Sequence, residues 1–380
     1  MKAKTLKPGW RPTQSQELLV QAALLQGGQA VEAWERWERG LVFETLDACS
    51  RQLLPLLHRN LRANGIDHPL MERFRGIHRY TWYKNQLMLH KTAKRLRAFH
   101  DAGIETMILK GTALILLNYD TYGLRPMRDV DILVHTDKAL VAMDLLKELG
   151  FTAQSSALVE LTMSYVHAKE FKDQDGDGFD LHWNALRECR QADADDEFWN
   201  NAVSTEINEV PTHALSPTDQ LLHVCVHAAR WEAVPRLIWI ADAMTILNSA
   251  PSIDWDRLSL YGRKHRITMP LRDTLAYLHN LLGAPIPATV LQSLREAPIS
   301  KAERIEYSVA NRPTGGSAGR ARLLWLMYRW YAQSPDGAGL QHKRFGFARF
   351  LQRYWAVPHL WEVPFHAAAR TVRRIGRDIP

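Results

Sequence analysis

The chain has 380 residues, 46% hydrophobic and 23% charged, an ordinary globular composition with material for two or three domains and a sizeable core. The formal charge of +7 sits at the C-terminal end, where residues 301–380 hold fourteen Lys and Arg against five Asp and Glu; the rest is slightly acidic, so the pI alone is no ground for a nucleic-acid binder. Three scattered cysteines (Cys49, Cys189, Cys225) argue against a disulfide framework or a thiolate zinc site, the first ten residues lack the apolar core of a signal peptide, and no run approaches a membrane span, which together point to the cytoplasm.

Residues 15–27 combine a Ser cap, an acidic first turn and a Gly stop, and read as a helix. Trp34 and Trp37 follow at helical spacing and read as core. Helices are expected over 41–63 and 69–102. The second is rich in cations that form a solvated face, and Asp101-Ala-Gly103 ends it.

Met107-Ile108-Leu109 and Ile132-Leu133-Val134 are short apolar runs that read as buried strands, with a helix-like segment, Thr112–Tyr119, between them. The first strand delivers Lys110 to a helix start. Gly111 lets backbone approach a ligand, the N–H groups from Thr112 onward face an anion, and Lys110 adds a point charge. The second carries Asp129 and Asp131, which share a face at i and i+2. Two carboxylates this close repel unless a cation sits between them. A hard divalent ion, Mg²⁺ (or Mn²⁺), held together with substrate phosphates, is the natural answer. Arg128 or Arg125 offers a second cation.

Lys138–Leu149 reads as an amphipathic helix closed by Gly150, Phe151–Ala153 as the start of a strand, and 158–167 as a short helix. Two strands, His167–Lys172 and Gly178–Trp183, flank Asp173-Gln-Asp-Gly-Asp177. That loop imitates the start of an EF-hand, but its twelfth position is Asn184 and strands surround it, so it reads as a polar hairpin turn. On the second of these strands Asp180 and His182 share one face, and Phe179, Leu181 and Trp183 the other.

Ser216-Pro217 is a helix start. His223 and His227, at i and i+4, share a helix face. With Asp242 they can in principle ligate a metal, as in a phosphohydrolase, but the His-Asp dipeptide and H-E-x-x-H are absent. Packing or substrate-side hydrogen bonding is expected instead. Further helices follow Asp254 and cover 267–283, and Gly283-Ala-Pro-Ile-Pro-Ala288 marks a boundary. Asn311–Gly319 has linker composition. Beyond it, Leu323–Tyr331 and Phe345–Trp355 interleave aromatics with Arg344, Arg349 and Arg353, and 367–377 is basic and amphipathic. Inward packing of these aromatics in a helical subdomain is the favoured reading. A peripheral membrane contact through residues 320–380 comes second, and nucleic acid third.

The order K-G-T (110–112), R-D-V-D-I-L-V (128–134) and D-L-H-W (180–183) resembles the nucleotidyltransferase superfamily of the DNA polymerase β type, and within it the bacterial uncharacterised nucleotidyltransferase family. The resemblance runs over residues 90–290, through Ser216–His223, His227, Asp242 and Ile253-Asp-Trp255. Gly111-Thr112 departs from the superfamily's usual Gly-Ser turn.

The resemblance implies an α+β fold, a small mixed sheet carrying the acidic cluster, embedded in mostly helical N- and C-terminal regions. The expected division is 1–100 helical, 101–212 α/β core, 213–290 helical and 291–380 basic and aromatic-rich. It implies Asp180 as a third carboxylate on the strand beside Asp129 and Asp131, and the same three acids as metal ligands. Lys110, Gly111, Thr112, Arg128 and Arg125 would hold a nucleoside triphosphate, ATP first among candidates. His182, His223, His227 and Asp242 would lie on the substrate side. The reaction is transfer of a nucleoside monophosphate group to an unidentified hydroxyl of a small molecule, sugar or protein, with release of pyrophosphate. The alternatives are a catalytically weak nucleotide-binding or assembly component, and a metal-dependent phosphohydrolase.

Overall fold

A computed structural model of the chain describes residues 9–153, 163, 166–191, 193–230, 232, 234–250, 252–312, 316–333, 346–355 and 357–367. The chain opens with five helices: α1 (Gln14–Leu24), α2 (Gly27–Glu38), α3 (Ala48–Arg51), α4 (Leu54–Ala63) and α5 (Met71–Asp101). The cap of α1 is Thr13 rather than Ser15, because Thr13 and Gln16 satisfy each other's backbone N–H groups in a capping box. The stretch 41–63 is not one helix. A short turn at Phe43–Thr45 precedes α3, which starts where Asp47 accepts the N–H groups of Cys49 and Ser50, and Pro55 sits in the first turn of α4. Trp34 and Trp37 are buried.

The α/β part contains β1 (Thr106–Leu109), α6 (Lys110–Leu117), β2 (Asp131–Val134), α7 (Ala139–Glu148), β3 (Thr152–Ala153), β4 (Ala168–Lys172), β5 (Gly178–His182), α8 (Asp196–Asn200), β6 (Val203–Ile207) and β7 (Val210–Ala214). They form a seven-stranded mixed sheet in the order β3-β4-β5-β2-β1-β7-β6. The β1–β2 pair is antiparallel, while β2–β5 and β1–β7 are parallel. Apolar side chains fill both faces of the central strands, which is why β1 and β2 are short continuous hydrophobic runs. Ile108, Ile132, Val134, Phe179, Leu181 and Trp183 pack under the C-terminal half of α5 and under α7. Met107, Leu109 and Leu133 pack on the opposite side, into the core shared with the helical regions. The β4–β5 connection is a hairpin in which Asp173 and Asp177 pair with Arg95 and Lys91 of α5, while the ligand atoms of Asp173, Asp175 and Asp177 lie within 4.8 Å of one another. Of the short helix expected over 158–167, residues 158–162 and 164–165 lie outside the described residues.

Helices α9 (Pro217–Ala228), α10 (Ile238–Ser249), α11 (Trp255–Lys264), α12 (Thr268–Leu282), α13 (Ala288–Glu296) and α14 (Lys301–Ala310) follow. Ser216 caps α9 and Asp254 caps α11. Gly283 takes the left-handed conformation at the end of α12, and Ala284, Ile286 and Leu294 continue the same core. Trp10 packs edge-on against Trp239 and Tyr277, tying the N-terminal segment to α10 and α12.

The last described helices are α15 (Gly316–Gln333) and α16 (Gly346–Tyr354). Residues 313–315 of the expected linker lie outside the described set, and 316–319 are helical. Met327, Tyr331, Phe350, Leu351 and Val363 make a separate small core with Phe347 and Tyr354 against it, an inward packing of aromatics. Trp361 and Phe365 are exposed. Arg344 and residues 368–377 lie outside the described residues, and no described helix is long and apolar enough to cross a membrane.

Candidate active site at the β1, β2 and β5 ends

The chain leaves β1 at Leu109 and enters α6 at once. This abrupt turn places Lys110 at φ +46°, a left-handed conformation that costs a non-glycine residue roughly 1–2 kcal/mol. Such strain collects where a side chain must be aimed. Here the Lys110 ammonium points back over the sheet to Oδ1 of Asp131, 2.5 Å away.

Asp131 is the first residue of β2 and lies opposite Leu109 on one side and Asp180 of β5 on the other. The N–H of Asp180 donates to the Val130 carbonyl at 2.8 Å, which fixes this parallel register. Asp131, Asp180 and His182 therefore share a face, with one ligand atom from each lying within 4.8 Å of the others. His182 Nε2 lies 2.9 Å from the same Asp131 oxygen that Lys110 reaches.

Asp129 does not belong to that set. The ladder begins at Asp131, so Asp129 lies on irregular chain before the strand and is exposed at the mouth of the site. The period-two argument that put Asp129 and Asp131 on one strand face therefore stops two residues short, because β1 has no residue left to pair beyond Leu109.

The three carboxylates differ in proton affinity. Burial, only 1% exposure, pushes the Asp131 carboxyl up, but Lys110 and His182 outweigh it and hold it well below the usual range. Asp180 is raised, first by burial and then by the negative charge of Asp131. Asp129 is raised by the same two causes, through partial desolvation at the concave mouth, with Lys110 and Arg125 opposing. Asp131 thus holds its proton less tightly, and Asp129 and Asp180 more tightly, than an ordinary carboxyl.

A cavity of about 210 Å³ opens in front of Lys110, lined also by Gly111, Arg128, Asp129, Arg236, His227 and Trp239. Arg125 lines it too, but its guanidinium is fixed: Nε and Nη2 donate to the two oxygens of Asp242 at 2.7 and 2.8 Å, and the Tyr119 hydroxyl donates to Asp242 at 2.8 Å. Asp242 is therefore an anchor for Arg125, and it is absent from the groups that could hold a metal among the described residues. Gly111 is needed for the same arrangement, since a Cβ there would lie 2.4 Å from Arg125 Nη1. Its own φ is not positive; the left-handed residue of the turn is Lys110.

The Thr112 side chain is buried, and its hydroxyl faces the Met127 sulfur at 3.8 Å, away from the cavity. His223 and His227 stack on one face of α9, with centroids 6.2 Å apart. His223 Nε2 donates to the Ala185 carbonyl at 3.1 Å; burial, then Lys110 and Arg230, lower it to about 3, so it stays neutral. Sequence reasoning missed Arg236 and Trp239. Neither belongs to a motif, and both reach the cavity only through the path of α10 and the chain before it.

Residues 47–283 match the family described as uncharacterised nucleotidyltransferase. The chain belongs to this family. The matched segment contains β1, β2, β5 and α9, and so every residue of the candidate site described above. The chain is also similar to a solved structure, an antigenic nucleotidyltransferase-like protein from Paracoccidioides brasiliensis, at 16% identity, covering 58% of this chain and 94% of that one with a TM-score of 0.33. No curated protein matches it.

Proposed function

We propose that the protein transfers a nucleoside monophosphate group from a nucleoside triphosphate, ATP first among candidates, to a hydroxyl acceptor and releases pyrophosphate. The observation that carries this reading is the pairing of Asp131 with Asp180 across parallel strands, opposite Lys110 and an open cavity with further cations. Family membership supports it independently. Asp131 and Asp180, with Asp129 at the rim, would hold a divalent cation, Mg²⁺ or Mn²⁺, which when bound supplies charge neutralisation for in-line displacement at the α-phosphorus.

Lys110, Arg128 and Arg236 line the cavity where the β- and γ-phosphates would lie and would stabilise the departing pyrophosphate. Arg125, held by Asp242, braces the glycine turn and adds fixed positive potential behind it. The acceptor oxygen forms its bond to the α-phosphorus as the α–β bridging bond breaks. Asp180, with its raised proton affinity, takes the hydroxyl proton.

A phosphohydrolase built on His182, His223, His227 and Asp242 has little support, because Asp242 is saturated by Arg125 and Tyr119, His223 is spent on Ala185, and His182 faces Asp131 instead of the other three. The test is incubation with α-labelled triphosphates and cell extract, followed by identification of what carries the label. Asp129→Asn and Asp180→Asn should each abolish labelling while the circular dichroism spectrum is kept. Release of inorganic phosphate with no labelled acceptor would overturn the proposal.

A further inference from the structure

We infer that His182 Nε2 is a ligand of the divalent cation at the Asp131–Asp180 pair, and that this nitrogen donor biases the site toward a first-row transition ion such as Mn²⁺ over Mg²⁺. The inference rests on the metal-dependent reading above and deepens it.

At the site the ligand atoms of Asp131, Asp180 and His182 converge within 4.8 Å of one another, and Asp129 is not in that set. His182 is as buried as Asp131, at 1% exposure, and its ring is held from three sides. His167 packs edge-on at 5.3 Å, Nδ1 lies 3.4 Å from the Asn184 carbonyl, and Nε2 faces Asp131. One ring nitrogen against a backbone carbonyl and the other aimed at a carboxylate pair is the arrangement of metal-bound histidines, in which the second N–H fixes the tautomer and leaves a lone pair for the ion.

Lys110 shows that this position accepts a cation. Its ammonium and His182 Nε2 meet at the same oxygen of Asp131. An entering ion takes the place of the ammonium and frees Lys110 for the cavity it lines. Mg²⁺ favours an all-oxygen octahedron and dehydrates reluctantly. Imidazole nitrogen suits zinc, copper, iron and nickel, and Mn²⁺, the weakest binder of that divalent series, is still a d-block ion that accepts one nitrogen among oxygens, so His182 tilts selectivity away from Mg²⁺.

The experiment is titration of the full chain with Mn²⁺, without nucleotide, followed by electron paramagnetic resonance, with pulsed spectra on protein grown with ordinary and with ¹⁵N-labelled histidine. Bound Mn²⁺ should show nitrogen modulation that changes on histidine labelling, persists in His167→Gln and is lost in His182→Gln. The latter should bind Mn²⁺ at least about tenfold more weakly, with a smaller loss for competing Mg²⁺. Bound Mn²⁺ without histidine modulation, or with equal affinity in His182→Gln, would overturn the inference and leave the metal-dependent transferase intact. Failure of the wild-type chain to bind any divalent ion, with or without ATP, would overturn both. If His182→Gln does not fold, the labelled wild type and His167→Gln decide between the outcomes.

Discussion

Asp242→Asn separates an anchoring role for this residue from a metal-binding one. Arg125 and Asp242 are 8% and 3% exposed, joined by two hydrogen bonds of 2.7 and 2.8 Å, and the Tyr119 hydroxyl adds a third at 2.8 Å. Asparagine keeps the shape but removes the charge, and its NH₂ presents donors to groups that are themselves donors. The guanidinium cannot shed its proton, so it is left buried without a counter-charge. Breaking a buried pair from one side costs about 3–5 kcal/mol, a large part of the roughly 5–15 kcal/mol that holds a typical native state. Urea unfolding without metal or nucleotide should show this as a midpoint lowered by about 1 M or more, for a slope near 3 kcal/mol per molar. Arg125→Met with Asp242→Leu should recover part of the loss, because an apolar pair removes the uncompensated charge. If Asp242→Asn kept the wild-type midpoint but lost divalent-ion binding, the anchoring argument would be wrong and Asp242 would return to the metal.

Gly111→Ala should destabilise the ligand-free protein by about 1–3 kcal/mol through overpacking, because the new Cβ meets Arg125 Nη1 at 2.4 Å and Asp242 prevents the guanidinium from retreating; an unchanged melting temperature would show that Arg125 has another place to go. Lys110→Met should weaken ATP binding by about 10–100-fold, the worth of a hydrogen bond to a charged group, and calorimetry showing no change would put the phosphates elsewhere. Asp195, buried with an oxygen accepting from the Ala185 N–H at 3.0 Å, is raised by that burial to about 7. The folded chain therefore holds a proton there that the unfolded chain releases above its ordinary value of 3.8. The contribution to stability is complete below that value and is lost as pH rises through about 7. Asp195→Asn should flatten the fall in stability between pH 5 and pH 8, a window worth on the order of 3 kcal/mol; urea midpoints that fall equally in both proteins would refute this.

Much of the α/β part was legible from local pattern. Met107–Leu109 and Ile132–Val134 were readable as strands because the two cores on either side of the sheet demand apolar residues at every position. The alternation in β5 gave Asp180 and His182 one face because only the other face, with Phe179, Leu181 and Trp183, packs into a core. Other features were invisible to periodicity. The irregular chain at Asp129, the inward-facing Thr112 hydroxyl and the strained Lys110 follow from how tightly β1 turns into α6. The break between α3 and α4 lay inside a stretch whose apolar spacing continues across it.

By itself the sequence determined which residues carry charge, which segments alternate, and which family's motif they follow. Those properties belong to a few neighbouring residues and need no knowledge of where the chain goes next. Only the tertiary structure decided that Asp180 stands beside Asp131, that His182 and Lys110 meet on one carboxylate oxygen, and that Arg125 is bound to Asp242, 117 residues away. Contacts at such separation are selected by the packing of whole layers and by strand register, where a shift of one residue would turn every side chain of β5 to the opposite face.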